Sequence, residues 1–184
     1  MSKFCRRNRP EGMNVEHDPT TIHLLDCIEA NVQRLAASLA GLDETALRSP
    51  VVPSGWTMLG LVGHVRDSSY FWLHHVILGH PMTFNDADER WDNSPITPTV
   101  DVVKSLVSTV STSCRAVRHL RADAEPGWWP NGAWSGYRQD TVLGVLAHLL
   151  VDNAAHAGHL DIARELTDGE IWDLSSDSVK VTAP

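Results

Sequence analysis

One stretch of the chain restricts the fold more than any other. From about Asp140 to Thr167, apolar residues recur at the three- and four-residue spacing of an α-helix. Gly169 follows where a helix of this kind ends with a glycine cap. A helix this long needs other helices packed along its apolar stripe, which favours a helical bundle.

Three further stretches have the same periodicity, and prolines and glycines separate them. The predicted helices run from Asp18 to Gly41, from about Thr57 to Leu78, and from Pro98 to about Leu120. No run of alternating apolar and polar residues indicates a strand. The sequence therefore predicts an all-α protein, a four-helix bundle with long crossover loops.

Composition excludes several classes of protein. The 184 residues are 42% hydrophobic, enough for one domain with its own core, and contain no apolar run long enough to span a membrane. A net charge of -8 argues against nucleic acid as a partner. Three cysteines without CxxC spacing argue against a disulfide scaffold and favour a reducing, cytoplasmic setting.

The chain divides into three parts. Residues 1–17 carry a basic cluster with little apolar content and are predicted to be a disordered basic extension. Residues 18–170 form the predicted bundle, and residues 171–184 form a predicted C-terminal tail.

Four ionisable side chains lie on the core-facing stripe of the last predicted helix. On a helical wheel, His148, Asp152, His156 and His159 fall within an arc of roughly 80°, among apolar neighbours that include Leu166. A buried carboxylate is costly unless it is paired, hydrated or bound to a metal.

The second predicted helix carries His64 and Ser68 on its own apolar side. Packed helices lie about 8 to 10 Å apart, which lets His64 reach Asp152 and His156. Two imidazoles and a carboxylate are ligands of catalytic zinc, with a fourth position open. The alternative is a hydrogen-bonded core histidine at position 64 and a structural pair between Asp152 and His148 or His156.

Two stretches of these helices form a recognisable pattern. They are Ser54 to His64 with Asp67 and Trp72, and then Leu146 to His148, Asp152, His156 to His159, Asp161, Arg164, Glu165, Asp168 and Gly169. In this pattern the chain resembles the DinB/YfiT-like superfamily, in particular its actinobacterial-type members, which include mycothiol-dependent maleylpyruvate isomerase.

The resemblance implies a four-helix bundle whose second and fourth helices bind a metal through His64, Asp152 and His156. Relatives usually have histidine or glutamate where this chain has Asp152, and aspartate is one methylene shorter than glutamate. The resemblance also implies a divalent metal, with zinc favoured over iron or nickel, and a low-molecular-weight thiol such as mycothiol as cosubstrate.

Supporting roles are predicted for four further residues. His159 is expected to assist proton movement, and His148 and Ser68 to support the ligands or line the pocket. Trp134 belongs to a loop rich in Trp, Gly and Pro, which either walls a substrate pocket or seals the end of the bundle.

The sequence thus predicts a cytoplasmic, metal-dependent enzyme that activates a thiol for S-transfer to, or isomerisation of, a small organic substrate. One alternative is a thiol-independent metal enzyme, such as a hydrolase, a lyase or a non-haem iron oxygenase. Another is a metal-free bundle that binds a small molecule or assists a pathway. Arg164 and Asp168 are spaced for an ion pair, either internal or at a homodimer interface.

Overall fold

A computed structural model describes residues 17–83, 97–173 and 178–181. The helices of this part of the chain are α1 (Pro19–Ala37), α2 (Glu44–Arg48), α3 (Met58–Tyr70), α4 (Thr99–Val117) and α5 (Val142–Asp168). The four long helices lie within a few residues of their predicted bounds when Phe71–Ile77, the π-helical continuation of α3, is included, and the all-α bundle is confirmed. The short α2 was not predicted, since a helix of five residues gives too little periodicity.

Side-chain caps fix where the long helices begin. The Asp18 carboxylate accepts hydrogen bonds from the backbone N–H groups of Thr20 and Thr21 at the start of α1. Thr57 and Thr141 accept from the N–H groups three residues on, at 3.0 and 3.1 Å, at the starts of α3 and α5. These caps satisfy N–H groups that have no partner inside the helix.

The four long helices form a square in cross-section. Both α1 and α3 pack against α4 and α5, so α1 and α3 lie on one diagonal and α4 and α5 on the other. The connections α1 to α3 and α4 to α5 therefore cross the end of the bundle, as long crossover loops. Every long helix contributes fully buried aliphatic side chains to one core, among them Leu25, Leu61, Leu106 and Leu149.

The second long helix changes its winding after Tyr70. Phe71–Ile77 is a π-helix, and the Leu78 N–H bonds the carbonyl of Leu73, five residues earlier. The Trp-rich loop is anchored here, because the N–H groups of Gly127 and Trp128 donate to the carbonyls of Ile77 and Val76. A Cβ atom at position 127 would lie 2.7 Å from the Gly79 Cα, so this close approach requires glycine.

The C-terminal region contains strands, which the sequence analysis did not predict. Strands β1 (Glu170–Asp173) and β2 (Ser178–Val181) pair antiparallel, with Glu170 opposite Val181. The sequence analysis predicted no strands, and that prediction is wrong here. Four residues are too few for a clear alternation of apolar and polar side chains.

Arg164 joins α1, α5 and β1 from inside the protein. Its side chain is 3% exposed, and it donates to the carbonyls of Ser38 and Ala40 at 2.8 and 2.7 Å. It also pairs with Asp168 and Glu170. Of the two predicted roles for Arg164 and Asp168, the geometry supports the internal ion pair.

Parts of the predicted organisation lie outside the described residues, namely residues 1–16 of the basic extension, residues 84–96 of the loop before α4, and residues 174–177 and 182–184 of the C-terminal tail. The three-part division of the chain stays a prediction. Within the described ranges, no helix combines the length and apolar character required to cross a membrane.

Candidate metal centre

The structure brings the three predicted ligands together. His64 comes from α3, and Asp152 and His156 come from successive turns of α5. One ligand atom from each side chain lies within 4.8 Å of the other two, and no other group in the described part of the chain meets this criterion. The His156 Nε2 and Asp152 Oδ1 atoms are 3.4 Å apart, and the His64 and His156 rings meet edge to face at 4.9 Å.

The site lies at the edge of the core. The His156 side chain is 8% exposed and that of Asp152 is 33% exposed, so the cluster is closed toward the bundle and open on the Asp152 side. An open side is what a catalytic metal site needs for a substrate or solvent ligand.

The pKa shifts of His64 and Asp152 favour the protonation states that bind a metal. Burial lowers the pKa of His64, and the neighbouring His156 lowers it further, against the opposing effect of Asp152 and Asp67. Burial alone would raise the pKa of Asp152, but the hydrogen bond from His156 and the positive potential of His156 and His64 outweigh it and lower that pKa. Metal ions bind neutral imidazole and ionised carboxylate, and these are the forms that the two shifts favour at His64 and Asp152.

The donor set fits a divalent transition metal. Bonds of about 2.0 to 2.2 Å keep the ligands of tetrahedral zinc roughly 3.3 Å apart. The gap between Asp152 and His156 already has about this length, and no two of the three ligand atoms are more than 4.8 Å apart. The short side chain of Asp152 does not prevent this approach, and the metal assignment itself stays a prediction.

The other predicted site residues lie around this cluster. His159 is exposed, with its ring centroid 5.7 Å from that of His156 and 6.4 Å from that of Trp56. Its predicted place on the core-facing stripe is therefore wrong, and it is not among the three convergent ligands. Ser68 is half-buried, one turn after His64 on α3.

An aromatic cluster extends from the site along α5. The Trp72 ring contacts His148, which lies one turn before Asp152, at 4.7 Å, and it stacks on Trp134 at 5.3 Å. Trp134 and Ser135 both have left-handed backbone conformations, with φ of 48° and 52°. Such conformations are strained for residues other than glycine and persist only where packing enforces them.

Sequence reasoning missed two residues that hold His148. Gln139 Nε2 donates to the Tyr137 hydroxyl oxygen at 2.7 Å, and that hydroxyl lies 3.1 Å from His148 Nδ1. With the phenol oxygen accepting from Gln139, its proton is available to His148 Nδ1, which leaves the imidazole proton on Nε2. No spacing signal pointed to Tyr137 or Gln139, because both lie in a loop.

Sequence reasoning also missed Asn153, which is fully buried beside Asp152. Its Nδ2 donates to Ser69 Oγ at 3.3 Å and thereby joins α5 to α3 next to the ligands. The helical wheel gave no signal for Asn153, because it lies about 100° from Asp152 and outside the predicted core-facing stripe.

Fold and site together define a helical bundle with a candidate histidine–carboxylate metal centre between two of its helices. A family model described as mycothiol-S-transferase matches residues 23–169. The match runs from α1 to the end of α5 and includes all three candidate ligands. The chain belongs to this mycothiol-S-transferase family, which is DinB/YfiT-like, so the predicted resemblance is confirmed. No curated protein and no solved structure matched the chain.

Proposed function

We propose that this protein is a metal-dependent S-transferase that joins a low-molecular-weight thiol of the mycothiol type to a small organic substrate. The family supports mycothiol-related transferase activity. The observation that carries the metal dependence is the convergence of His64, Asp152 and His156 at the open edge of the core. The family description favours transfer over isomerisation.

The three side chains would hold one divalent metal, with zinc favoured by two nitrogen donors and one oxygen donor. When bound, such a metal lowers the pKa of a coordinated thiol, so that the thiol reacts as a thiolate near neutral pH. Asp152 contributes one negative charge and the two imidazoles none.

His159 is the group we assign to proton movement. Its exposed imidazole lies beside His156 on the solvent side, where an incoming thiol would approach. It would accept the proton that the thiol loses on becoming a thiolate. As the bond between sulfur and the substrate carbon forms, it would return that proton to the group that leaves this carbon, or to the neighbouring carbon when the thiolate adds to a double bond. Trp56, half-buried next to His159, supplies an apolar wall for the substrate.

The net charge and the free cysteines support proposals for the substrate class and the cellular compartment. The substrate is a small molecule, and the net charge of -8 disfavours nucleic acid. Cys27 and Cys114 are free thiols, which fits a reducing compartment, so we propose that the enzyme works in the cytoplasm.

The test is metal content measured by elemental analysis on protein purified without chelators. We expect about one equivalent in the parent chain and a large loss in His64→Ala and His156→Ala. His119→Ala is the matched control, because His119 is exposed and outside the cluster. Equal metal content in all four proteins would overturn the metal assignment.

Turnover measured with and without added thiol then tests the reaction. Conjugation that requires the thiol, and that disappears with the metal in His64→Ala, supports the transferase. Turnover of the same substrate without any thiol would contradict the thiol-dependent reaction and favour a hydrolase, a lyase or an oxygenase.

A further inference from the structure

The side chain of Tyr137 connects the Trp-rich loop to α5, one turn before the candidate ligand Asp152. Its hydroxyl oxygen accepts a hydrogen bond from Gln139 Nε2 at 2.7 Å and lies 3.1 Å from His148 Nδ1. Because the Gln139 amide donates to this oxygen, the phenol proton is directed at His148 Nδ1. That nitrogen then accepts, and the neutral imidazole carries its own proton on Nε2.

Aromatic packing confines the His148 ring. Trp72 meets it edge to face with 4.7 Å between the ring centroids, and the Tyr137 ring is 5.6 Å away. Trp72 in turn stacks on Trp134, whose left-handed backbone persists only where packing enforces it. The protein, rather than solvent, therefore sets the direction of the His148 Nε2–H group.

His148 and Asp152 lie on the same face of α5. Side chains in an α-helix lean toward its N-terminal end, so the Asp152 carboxylate leans over the turn that carries His148. The next turn has the same relationship, because His156 leans toward Asp152 with 3.4 Å between Nε2 and Oδ1. Burial alone would raise the pKa of Asp152, and His148 is one of three imidazoles whose proximity lowers it.

We propose that Tyr137 is a positioning residue for the candidate metal centre and acts on Asp152 through His148. The Tyr137 hydroxyl selects the tautomer of His148 in which Nε2 carries the proton. His148 Nε2–H donates to Oδ2 of Asp152, and this bond keeps Oδ1 on the side of His64 and His156. The role rests on the metal centre proposed above, and it makes the Trp-rich loop part of that centre.

The size of the effect follows from the chemistry of a ligating carboxylate. Without the Tyr137 hydroxyl, His148 also populates the tautomer with its proton on Nδ1. The Nε2 lone pair then faces the Asp152 carboxylate and repels it. Groups that hold a metal ligand in place in this way typically change metal affinity by about 10- to 100-fold.

The first test is the zinc affinity of the metal-free full chain, measured by competition with a chromophoric chelator. Tyr137→Phe removes the hydroxyl but keeps the ring, and we expect a loss of at least about 10-fold. Tyr70→Phe is the matched control, because Tyr70 is exposed and stacks on His74, outside the cluster. Equal affinity of Tyr137→Phe and the parent would overturn the positioning role alone. A parent that binds no zinc would overturn the proposed metal centre and this role with it.

A second pair of variants tests the route through His148. The amide of His148→Gln can donate to Asp152 without a choice of tautomer. Tyr137→Phe should therefore weaken zinc binding by at least about 10-fold in the parent background and leave it unchanged in the His148→Gln background. An equal loss in both backgrounds would contradict the role of the tautomer.

The metal-free chain provides a readout that packing alone would not change. The ¹⁵N shifts of His148 should show a proton on Nε2 in the parent and a mixture of tautomers in Tyr137→Phe. Tyr70→Phe should match the parent. A proton on Nδ1 of His148 in the parent would overturn the proposal, whatever the metal content.

Discussion

The Gln139 side chain fills the space that a side chain at Gly144 would need. A Cβ atom at position 144 would lie 2.3 Å from the Gln139 Oε1 atom. The glycine thus allows Gln139 to lie over the first turn of α5 and donate to the Tyr137 hydroxyl, which lies against His148. A residue without a side chain therefore determines how an imidazole near the candidate metal centre is held.

Gly144→Ala is expected to raise the free energy of unfolding by less than helix propensity alone suggests. Alanine in place of a helical glycine normally stabilises by about 0.5 to 1 kcal/mol. Here the added methyl group displaces Gln139 and breaks a hydrogen bond that is worth about 1 kcal/mol. The two effects should nearly cancel in the free energy of unfolding measured with urea.

A double-mutant cycle isolates this contact. In a Gln139→Ala background the methyl group meets no obstacle, so Gly144→Ala should recover its gain of about 0.5 to 1 kcal/mol. The same gain in both backgrounds would show that Gln139 and Gly144 are not coupled. The ¹⁵N shifts of His148 report whether Nδ1 loses its hydrogen bond in Gly144→Ala.

Metal affinity should depend on the charge at position 152 rather than on the length of the side chain. Asp152→Asn keeps the shape but removes the negative charge, and we expect a loss in affinity of about 10- to 100-fold or more. Asp152→Glu should retain binding, because glutamate is an ordinary zinc ligand. Competition with a chromophoric chelator measures both affinities. Asp101→Asn, at an exposed position on α4, is the control. An equal loss of metal affinity in that variant would contradict a specific role for the charge at position 152.

Glu44 should stabilise the fold in a way that disappears in acid. Hydrogen bonds from Thr99, together with Arg48, lower the pKa of Glu44 from 4.5 to about 2. A carboxyl whose pKa is lower in the folded state stabilises the fold above its unfolded pKa. That contribution is lost as the pH falls from about 4.5 to about 2.

The stability difference between the parent and Glu44→Gln should therefore be constant above pH 4.5 and shrink toward pH 2. Urea unfolding midpoints at a series of pH values give this difference. Glu125→Gln, at an exposed loop position, is the control. A difference that is unchanged down to pH 2 would contradict the assigned role of the carboxylate.

Replacing Arg164 should be among the most damaging single changes. Arg164→Leu leaves the carbonyls of Ser38 and Ala40, and the carboxylates of Asp168 and Glu170, without the guanidinium. The loss of one partner of a buried ion pair costs about 3 to 5 kcal/mol. Thermal unfolding should show a large drop, whereas Arg115→Leu, exposed on α4, should change little. Equal effects of the two variants would mean that Arg164 does not hold these elements together.

The helical period of the sequence predicted the positions of the candidate ligands. His64, Asp152 and His156 could be placed together because residues four apart share a helix face and because packed helices lie a known distance apart. Capping by Asp18, and the prolines and glycines between the helices, placed the helix bounds to within a few residues.

The same reasoning fails where packing or loop geometry decides. Leu166 was predicted to face the core, and that prediction is wrong, since it is 63% exposed. The buried residues of α5, among them Leu160 and Ala163, are centred on the Asn153 side of Asp152, and Leu166 lies on the opposite side. Tyr137 and Gln139 act through a loop whose path no periodicity describes. The two strands depend on pairing with each other, which a four-residue pattern does not reveal.

The π-helix at Phe71–Ile77 has a consequence for the evolution of this chain. A π-helical turn holds about one residue more than an α-helical turn, which is how a helix absorbs a single inserted residue. Deleting one residue between Tyr70 and Ile77 should therefore restore regular winding and leave the end of this helix in the same orientation relative to His64. The anchor of the Trp-rich loop on Val76 and Ile77, and the ligand on α3, would then both stay in place. Alignments of relatives should accordingly show one-residue gaps in this segment in chains that keep that loop.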